Sequence, residues 1–141
     1  MSTLVIAEHD NATLKAATLN TVAAAQAIGG DIEVLIAGAG CAGAGEAASK
    51  IAGVSKVLVA DNDAYGHNLA ENVAALIAEI GTNYSHILAT ATPNGKNYMP
   101  RAAACGRART CAAHRRLGRW KTSLAARFCV CRVSGARLVR R

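Results

Sequence analysis

Residues 3–7 of this 141-residue chain read Thr-Leu-Val-Ile-Ala, and three further short apolar runs follow at residues 31–37, 56–60 and 86–90. Each run is rich in Val, Ile, Leu and Ala and shows little alternation between apolar and polar residues. This pattern is typical of strands that are covered on both faces of a parallel sheet. The four runs therefore predict four strands of one sheet.

The segments between these runs carry helical spacing. One face of the first helix is marked by Leu14, Val22, Ala25 and Ile28, and one face of the third by Leu69, Val73, Leu76, Ile77 and Ile80. A second helix is expected over about residues 43–52, and a fourth from about 94–97, with Pro100 in or just after its first turn. Gly29 and Gly81 are expected as left-handed helix caps. The alternating order predicts an α/β fold, a doubly wound, mostly parallel sheet with helices on both faces.

The sharpest motif is Gly-Ala-Gly-Cys-Ala-Gly at residues 38–43, with Asp61 following at the end of the next predicted strand. Gly38, Gly40 and Gly43 match the glycine fingerprint of a dinucleotide site, and an acidic residue about 20 positions on binds ribose hydroxyls in such sites. These residues raise the alternative of a small NAD-dependent oxidoreductase. A chance match in an Ala/Gly-rich loop is the other interpretation, and the motif follows the second strand rather than the first.

Three polar residues, Glu8, His9 and Asp10, follow the first predicted strand, at the edge where doubly wound sheets bind ligands. They could form an acid/base site. A solvated loop with a helix N-cap at Asp10 or Asn11 is the favoured interpretation, because three adjacent side chains cannot all point the same way.

Two weaker signals are a Gly95-Lys96 pair and the histidines His67 and His86. The pair does not belong to a phosphate-binding loop motif. Thr90 occupies the position of the first glycine of that motif, and Asn97 occupies the position of its metal-binding Ser or Thr. Neither histidine has a Cys or carboxylate partner at ligand spacing, which favours surface or strand-edge positions.

Charge divides the chain near residue 104. Residues 1–100 hold all nine acidic residues and four lysines, a net charge of −5, whereas residues 101–141 hold twelve bases and no acid. We predict two parts, an α/β domain at 1–104 and a disordered basic tail at 105–141.

The composition of the tail, rich in Arg, Ala, Gly and Cys, fits translation of a GC-rich gene out of frame. The alternatives are a nucleic-acid arm using Trp120, or a zinc site drawn from Cys105, Cys111, His114, Cys129 and Cys131.

Composition limits the class of protein. The sequence pI of about 9.5 averages an acidic body with a basic tail, so it says little about the body. No apolar run reaches the ~18 residues that a membrane span needs. Cys41 is alone in the body, so there is no disulfide framework. A cytoplasmic protein is expected in a bacterium, and a mitochondrial-matrix protein in a eukaryote.

Five segments, taken in order, resemble one family. Residues 3–11, 14–21, 34–38, 56–61 and 95–101 are similar to the amino-terminal domain of the electron transfer flavoprotein alpha subunit. The resemblance runs through about 100 residues and implies an adenine nucleotide alpha-hydrolase-like fold. The family pattern stops in mid-helix after Ala104, which makes the expected fold incomplete and leaves an unpaired edge at the fourth strand.

The resemblance also implies a function. The intact family protein pairs with a beta subunit and carries electrons through FAD from acyl-CoA and related dehydrogenases of fatty-acid β-oxidation to a membrane quinone oxidoreductase. The amino-terminal alpha domain is a non-catalytic scaffold that packs on beta, and the residues at 38–43 form a scaffold turn. The FAD-binding domain is missing from this chain, so no cofactor-binding, catalytic or metal residue is carried over, and none of these ligands and no specific nucleic acid is expected here.

Overall fold

The structure is a computed structural model that describes residues 2–105, 110–114 and 128–132. The strands in this part of the chain are β1 (Ser2–Ile6), β2 (Asp31–Gly38), β3 (Lys56–Asp61), β4 (His86–Thr90), β5 (Thr110–His114) and β6 (Phe128–Arg132). The α-helices are α1 (Ala16–Ile28), α2 (Ala42–Ser49), α3 (Ala70–Ile80) and α4 (Pro93–Cys105). The four apolar runs are therefore confirmed as strands, each within one residue of its expected bounds.

The described strands form one sheet in the order β3-β2-β1-β4-β6-β5. The first four strands are mutually parallel, and β1 lies between β2 and β4. The chain builds outward from β1 to β3 on one side and then crosses to β4 on the other. This confirms the doubly wound, mostly parallel arrangement, and it places the point where the strand order reverses between β1 and β4.

Two hydrophobic cores lie on opposite faces of the sheet. Alternate residues of β1 belong to different cores, Leu4 and Ile6 to one and Val5 and Ala7 to the other. The first core is completed by α3 and α4 and the second by α1 and α2. Helices thus cover both faces, as the sequence predicts, and the strands between them can be apolar throughout.

Three local expectations were wrong. Pro100 is the eighth residue of α4, not part of its first turn, and it is exposed, so water can replace the hydrogen bond that proline cannot make. Gly81 has φ −63 rather than a left-handed conformation, and α3 continues through it into a 3₁₀ turn. Leu69 is 51% exposed because it precedes α3 as the N-cap residue instead of lying on its buried face.

The outer edge of β4 is paired, where the sequence indicated an unpaired edge. Residues 128–132 form β6, which runs antiparallel to β4 along its whole length, and β5 pairs with β6. The segment Phe-Cys-Val-Cys at 128–131 has the β-branched and aromatic content that favours strands. The predicted disorder of the other tail residues, at 106–109, 115–127 and 133–141, lies outside the described residues.

None of the helices in the described ranges is long and apolar enough to cross a membrane.

Candidate functional site: the crevice at the carboxyl ends of β1 and β4

The crevice where the strand order reverses is the place at which doubly wound sheets usually bind ligands. It is formed by the loop after β1, which begins at Ala7, and by the loop that joins β4 to α4. The β1 loop is tight, because residues 9 and 14 form an isolated antiparallel bridge. We call this region the switch-point crevice.

Glu8 is the buried acid of the switch-point crevice, with 8% of its surface exposed. Its carboxylate Oε1 accepts a hydrogen bond from the Thr92 hydroxyl. Its backbone N–H donates to Thr18 Oγ1 at 2.9 Å, and the same hydroxyl donates to the Glu8 carbonyl at 3.0 Å. Glu8 therefore connects the loop after β1 with α1 on one face of the sheet and with the start of α4 on the other face.

Thr92 also starts α4. Its Oγ1 accepts the Gly95 N–H at 3.2 Å, which satisfies one of the free donors at the helix N-terminus. Below it in the sheet, the hydroxyls of Thr90 and Thr21 lie 3.1 Å apart and share a hydrogen bond. The N-terminus of α4, which could otherwise attract an anion, thus faces a threonine cap and the Glu8 carboxylate of the same chain.

His9 is 9% exposed and both ring nitrogens are engaged. Nε2 lies 3.1 Å from the carbonyl oxygen of Ala37, and Nδ1 accepts the Asn11 N–H at 3.1 Å. A carbonyl can only accept and an N–H can only donate, so the ring must be the neutral Nε2–H tautomer. Burial lowers the pKa of His9 below its ordinary value of 6.5.

The expectation of a solvated loop with a cap at Asp10 or Asn11 was wrong for most of this segment. Glu8 and His9 are buried because hydroxyl and carbonyl partners from α1, α4 and β2 satisfy them. Asp10 alone is exposed, and hydrogen bonds from the Thr13 N–H and hydroxyl lower its pKa. The N-cap position of α1 belongs to Lys15, whose side chain makes no capping bond.

Protonation of His9 should destabilise the fold. Since its pKa is lower in the folded state than 6.5, the unfolded chain binds the proton first, and the free energy of unfolding should fall as pH drops below about 6.5. Urea unfolding from pH 7.5 to pH 5 measures this fall. His9→Gln should flatten the pH dependence, whereas His67→Gln, at an exposed histidine, should leave it as it is. Equal flattening by both substitutions would contradict the role of His9.

A small cavity remains in the switch-point crevice. Its volume is about 60 Å³. It is lined by Ile6, Ala7, Glu8, His9, Lys15, Ala37, Asn68, Val73, Asn94 and Tyr98. Nucleotide and drug-sized ligands occupy pockets of roughly 300–1,000 Å³, so this space accepts a few atoms and not a nucleotide.

Two glycines of the fingerprint, Gly38 and Gly43, contact the β1 loop, whereas a Cβ atom on Gly40 would have no atom within 4 Å. A Cβ atom on Gly38 would lie 2.6 Å from Asn11 Oδ1, and one on Gly43 would lie 3.2 Å from the Ala12 carbonyl oxygen. Gly40 has φ +66 and donates its N–H to Asp61 Oδ1 at 2.7 Å. The atoms that would bind pyrophosphate and ribose in a dinucleotide site therefore contact each other and the neighbouring loop.

Asp61→Ala should cost about 1 kcal/mol of stability, the value of one hydrogen bond that holds the Gly40 turn. Asp63→Ala is the matched control, because Asp63 is exposed and lies two residues further on. Its cost should stay within about 0.5 kcal/mol. Urea unfolding measures both. Calorimetric titration with NAD that gives a micromolar dissociation constant, lost in Asp61→Ala, would instead support a dinucleotide site.

The other residues picked out from the sequence do not join the switch-point crevice. Lys96 is exposed in the first turn of α4. His86 Nδ1 lies 3.1 Å from Ser85 Oγ at the amino end of β4. In the described ranges, no three His, Cys, Asp or Glu side chains come close enough to hold a metal. Trp120 lies outside the described residues, as do the side chains of the tail residues Cys111, His114, Cys129 and Cys131.

Sequence reasoning missed the threonines of the crevice. Thr18 and Thr21 are 0% exposed on α1, and Thr90 is 7% exposed at the end of β4. A signal was present: two threonines three positions apart on the apolar helix α1, and the Thr-Ala-Thr sequence at 90–92 at the end of an apolar strand. Buried hydroxyls need partners, so these positions predict polar contacts between elements.

The fold and the switch-point crevice together define a doubly wound α/β domain, in which the loops at the carboxyl edge contact one another. A family model described as "Electron transfer flavoprotein domain" matches residues 3–113. The chain therefore belongs to the electron transfer flavoprotein family.

Individual relatives agree with the family match. The chain is 71% identical over 104 residues to the electron transfer flavoprotein subunit alpha of Pseudomonas aeruginosa, and 52% over 105 residues to that of Paracoccus denitrificans; each alignment covers 74% of this chain and 34% of the relative. It is 44% identical over 111 residues to the mitochondrial alpha subunit of Arabidopsis thaliana, covering 74% of this chain and 31% of the relative. The chain spans about a third of the length of the curated relatives it matches, and the matched part is alpha-subunit sequence.

Proposed function

We propose that this chain provides the scaffold part of an electron transfer flavoprotein alpha subunit and packs against a beta subunit. The intact assembly would be an electron carrier and not an enzyme. It would take electrons from acyl-CoA and related dehydrogenases through FAD and pass them to a membrane quinone oxidoreductase. Its location would be the bacterial cytoplasm or, in a eukaryote, the mitochondrial matrix.

The observation that carries this proposal is the ordered identity of 71% over 104 residues with an alpha subunit. The family match at residues 3–113 contains the four parallel strands, except for Ser2 at the start of β1, and the whole of α4. The interpretation of residues 1–104 and 105–141 as two separate parts stays a prediction, and the family match extends a few residues past that boundary.

We propose that the described residues do not hold FAD. The cavity of about 60 Å³ in the switch-point crevice is smaller than a flavin ring system, and the glycine turn at 38–43 is closed by Asn11 and Ala12. We propose that the flavin is held by parts of the assembly outside this chain. A scaffold needs surfaces that are fixed in position, and the bonds from Glu8 to Thr18 and Thr92 fix the carboxyl edge of the sheet.

The two alternatives are less well supported. The NAD hypothesis needs a free Asp61 carboxylate and open amides at the glycine turn, and Asp61 instead accepts the Gly40 N–H. The nucleic-acid hypothesis depends on the basic tail, because residues 1–100 carry a net charge of −5 and would repel phosphate.

The test is reconstitution. The full chain is mixed with the purified beta subunit that accompanies the Pseudomonas aeruginosa relative and analysed by size-exclusion chromatography with light scattering. We expect a 1:1 complex without absorbance at the flavin wavelengths. Stoichiometric FAD bound to the chain alone would contradict the assignment of flavin binding to other parts of the assembly.

Gly95→Ala serves as the control in the reconstitution, because we expect it to distort the start of α4 and to destabilise the chain strongly, for the reason given in the Discussion. Its mixture with beta should elute as separate components. If the folded chain and beta also elute separately at concentrations well above micromolar, the proposed scaffold role fails.

A further inference from the structure

The scaffold function leaves one group without a role, the second carboxylate oxygen of Glu8. Oε1 accepts from Thr92, whereas Oε2 makes no hydrogen bond to any residue in the described part of the chain. Glu8 is only 8% exposed and lines the cavity of the switch-point crevice. Oε2 is not among the fully buried side-chain atoms that lack a hydrogen-bond partner, so it is accessible from the cavity, and a donor that carries positive charge is its strongest partner.

Other lining groups offer acceptors beside this oxygen. The Asn68 and Asn94 side chains also line the cavity, and neither makes a hydrogen bond to the described residues. Asn68 has φ +50, a left-handed conformation that turns the loop before α3 over the cavity. One carboxylate oxygen and two amide oxygens are a suitable set of acceptors for a group with several N–H donors.

The volume of the cavity limits which ligands can enter it. The cavity of about 60 Å³ has the volume of roughly two water molecules in the liquid. A guanidinium or an alkylammonium group is of that size, whereas a nucleotide or an acyl chain is not. The ligand is therefore a small group, whether it is a free solute or the end of a longer side chain.

The charged residues around the cavity favour a cationic ligand. Residues 1–100 carry a net charge of −5, and Asp10 lies in the same loop as Glu8. His9 contributes no positive charge, since it is held as the neutral tautomer by Ala37 and Asn11. Lys15 is the one cationic residue that lines the cavity, and it is exposed. In the described structure its ammonium nitrogen does not form an ion pair with the Glu8 carboxylate.

We propose that the switch-point crevice is a binding site for one cationic nitrogen group, a guanidinium or a primary ammonium, whose N–H donors bond to Glu8 Oε2 and to the amide oxygens of Asn68 and Asn94. This proposal does not depend on the packing of the alpha chain against a beta subunit, so each of the two can be tested without the other.

The proposal is tested by titrating the full ¹⁵N-labelled chain with methylguanidinium chloride and with methylammonium chloride, against potassium chloride at equal ionic strength. Saturable shifts of the Glu8, Asn94 and Val73 amides are expected with the two nitrogen cations and not with potassium. A blocked Gly-Arg-Gly tripeptide forms a second arm. Tighter binding of the tripeptide identifies a protein side chain as the source, and tighter binding of methylguanidinium identifies a free solute.

Three substitutions with different expected signs separate the site from a general effect of charge. Glu8→Gln keeps an acceptor for the Thr92 hydroxyl but loses the charge, and it should weaken binding at least ~10-fold, as a charge-assisted hydrogen bond implies. Lys15→Gln removes the competing cation and should strengthen binding about two- to fivefold. Glu79→Gln removes an exposed acid of α3 that does not line the cavity, and it should change the affinity less than about twofold.

Several outcomes would overturn the proposal. One is shifts that grow linearly with all three salts. Another is equal weakening by Glu8→Gln and Glu79→Gln. Saturable binding of calcium chloride with no binding of either nitrogen cation would show a metal site instead. The ¹H–¹⁵N spectrum of each variant shows whether it is folded, and if Glu8→Gln fails to fold, the sign of the Lys15→Gln effect alone decides.

Discussion

Gly95→Ala should destabilise the protein by about 4 kcal/mol or more, a large part of the roughly 5–15 kcal/mol that stabilises a typical domain. Gly95 is buried in the first turn of α4, and an added Cβ would overlap the Thr90 carbonyl oxygen. The oxygen belongs to the backbone and the position of a Cβ is fixed by the backbone, so relief requires a shift of β4 or of the helix start. Such a shift would also break the bond from the Gly95 N–H to Thr92 and disturb Glu8.

Gly45→Ala is the matched control for this prediction, since Gly45 is also a buried helical glycine. Its added Cβ would lie 3.0 Å from Val59 Cγ2, which belongs to a side chain that is 47% exposed and can move. Alanine also favours a helix by about 1 kcal/mol relative to glycine, so the net change should be within about 1 kcal/mol of zero. Urea unfolding followed by circular dichroism measures both variants. A Gly95→Ala protein as stable as Gly45→Ala would show that the strand-to-helix turn is looser than described.

Leu88→Ala should cost about 3–4 kcal/mol, the second largest effect expected. Leu88 is 0% exposed on β4, pairs in register with Val5 of β1, and belongs to the core under α1 and α2. The neighbouring strands and helix fix the walls around it, so they cannot collapse into the space that the missing atoms leave.

Leu19→Ala is the comparison for Leu88→Ala, because Leu19 is 50% exposed on α1. The same chemical change there should cost less than about 1 kcal/mol. The two free energies of unfolding, measured under identical conditions, should therefore differ by at least about 2 kcal/mol. A smaller difference would mean that the core under α1 and α2 can rearrange.

The sheet could be predicted from the sequence because its first four strands are covered on both faces. Such strands read as uninterrupted apolar runs, which is why residues 86–90 were located without error. β6 was not predicted, because its short strand-favouring run at 128–131 lies in a tail whose many arginines and small residues indicate no regular structure. The positions of the helix ends were also less certain: α2 begins at Ala42 and ends at Ser49, short of the expected residue 52.

The site could be only partly predicted. Position alone placed Glu8 and His9 at the carboxyl edge, but their burial depends on partners from other elements. Glu8 is satisfied by Thr18 and Thr92, the latter 84 positions along the chain, and His9 by the carbonyl of Ala37. A local pattern contains no information about such a partner. The glycine fingerprint shows a related limit: the sequence indicates that something approaches Gly38 closely, and the structure shows that this is Asn11 and not a phosphate.

The central position of β1 has a consequence for the order in which the protein is made. Ser2–Ile6 leaves the ribosome before the other described strands, yet one of its two neighbours, β4, is about 80 residues behind it. At roughly 5–20 residues per second, that interval lasts roughly 4–16 s. During this time β1 can pair with β2 alone, and its other backbone edge, with Leu4 and Ile6, is exposed to any nascent chain nearby. The growing chain therefore passes through an aggregation-prone stage at which a ribosome-associated chaperone would have its greatest effect.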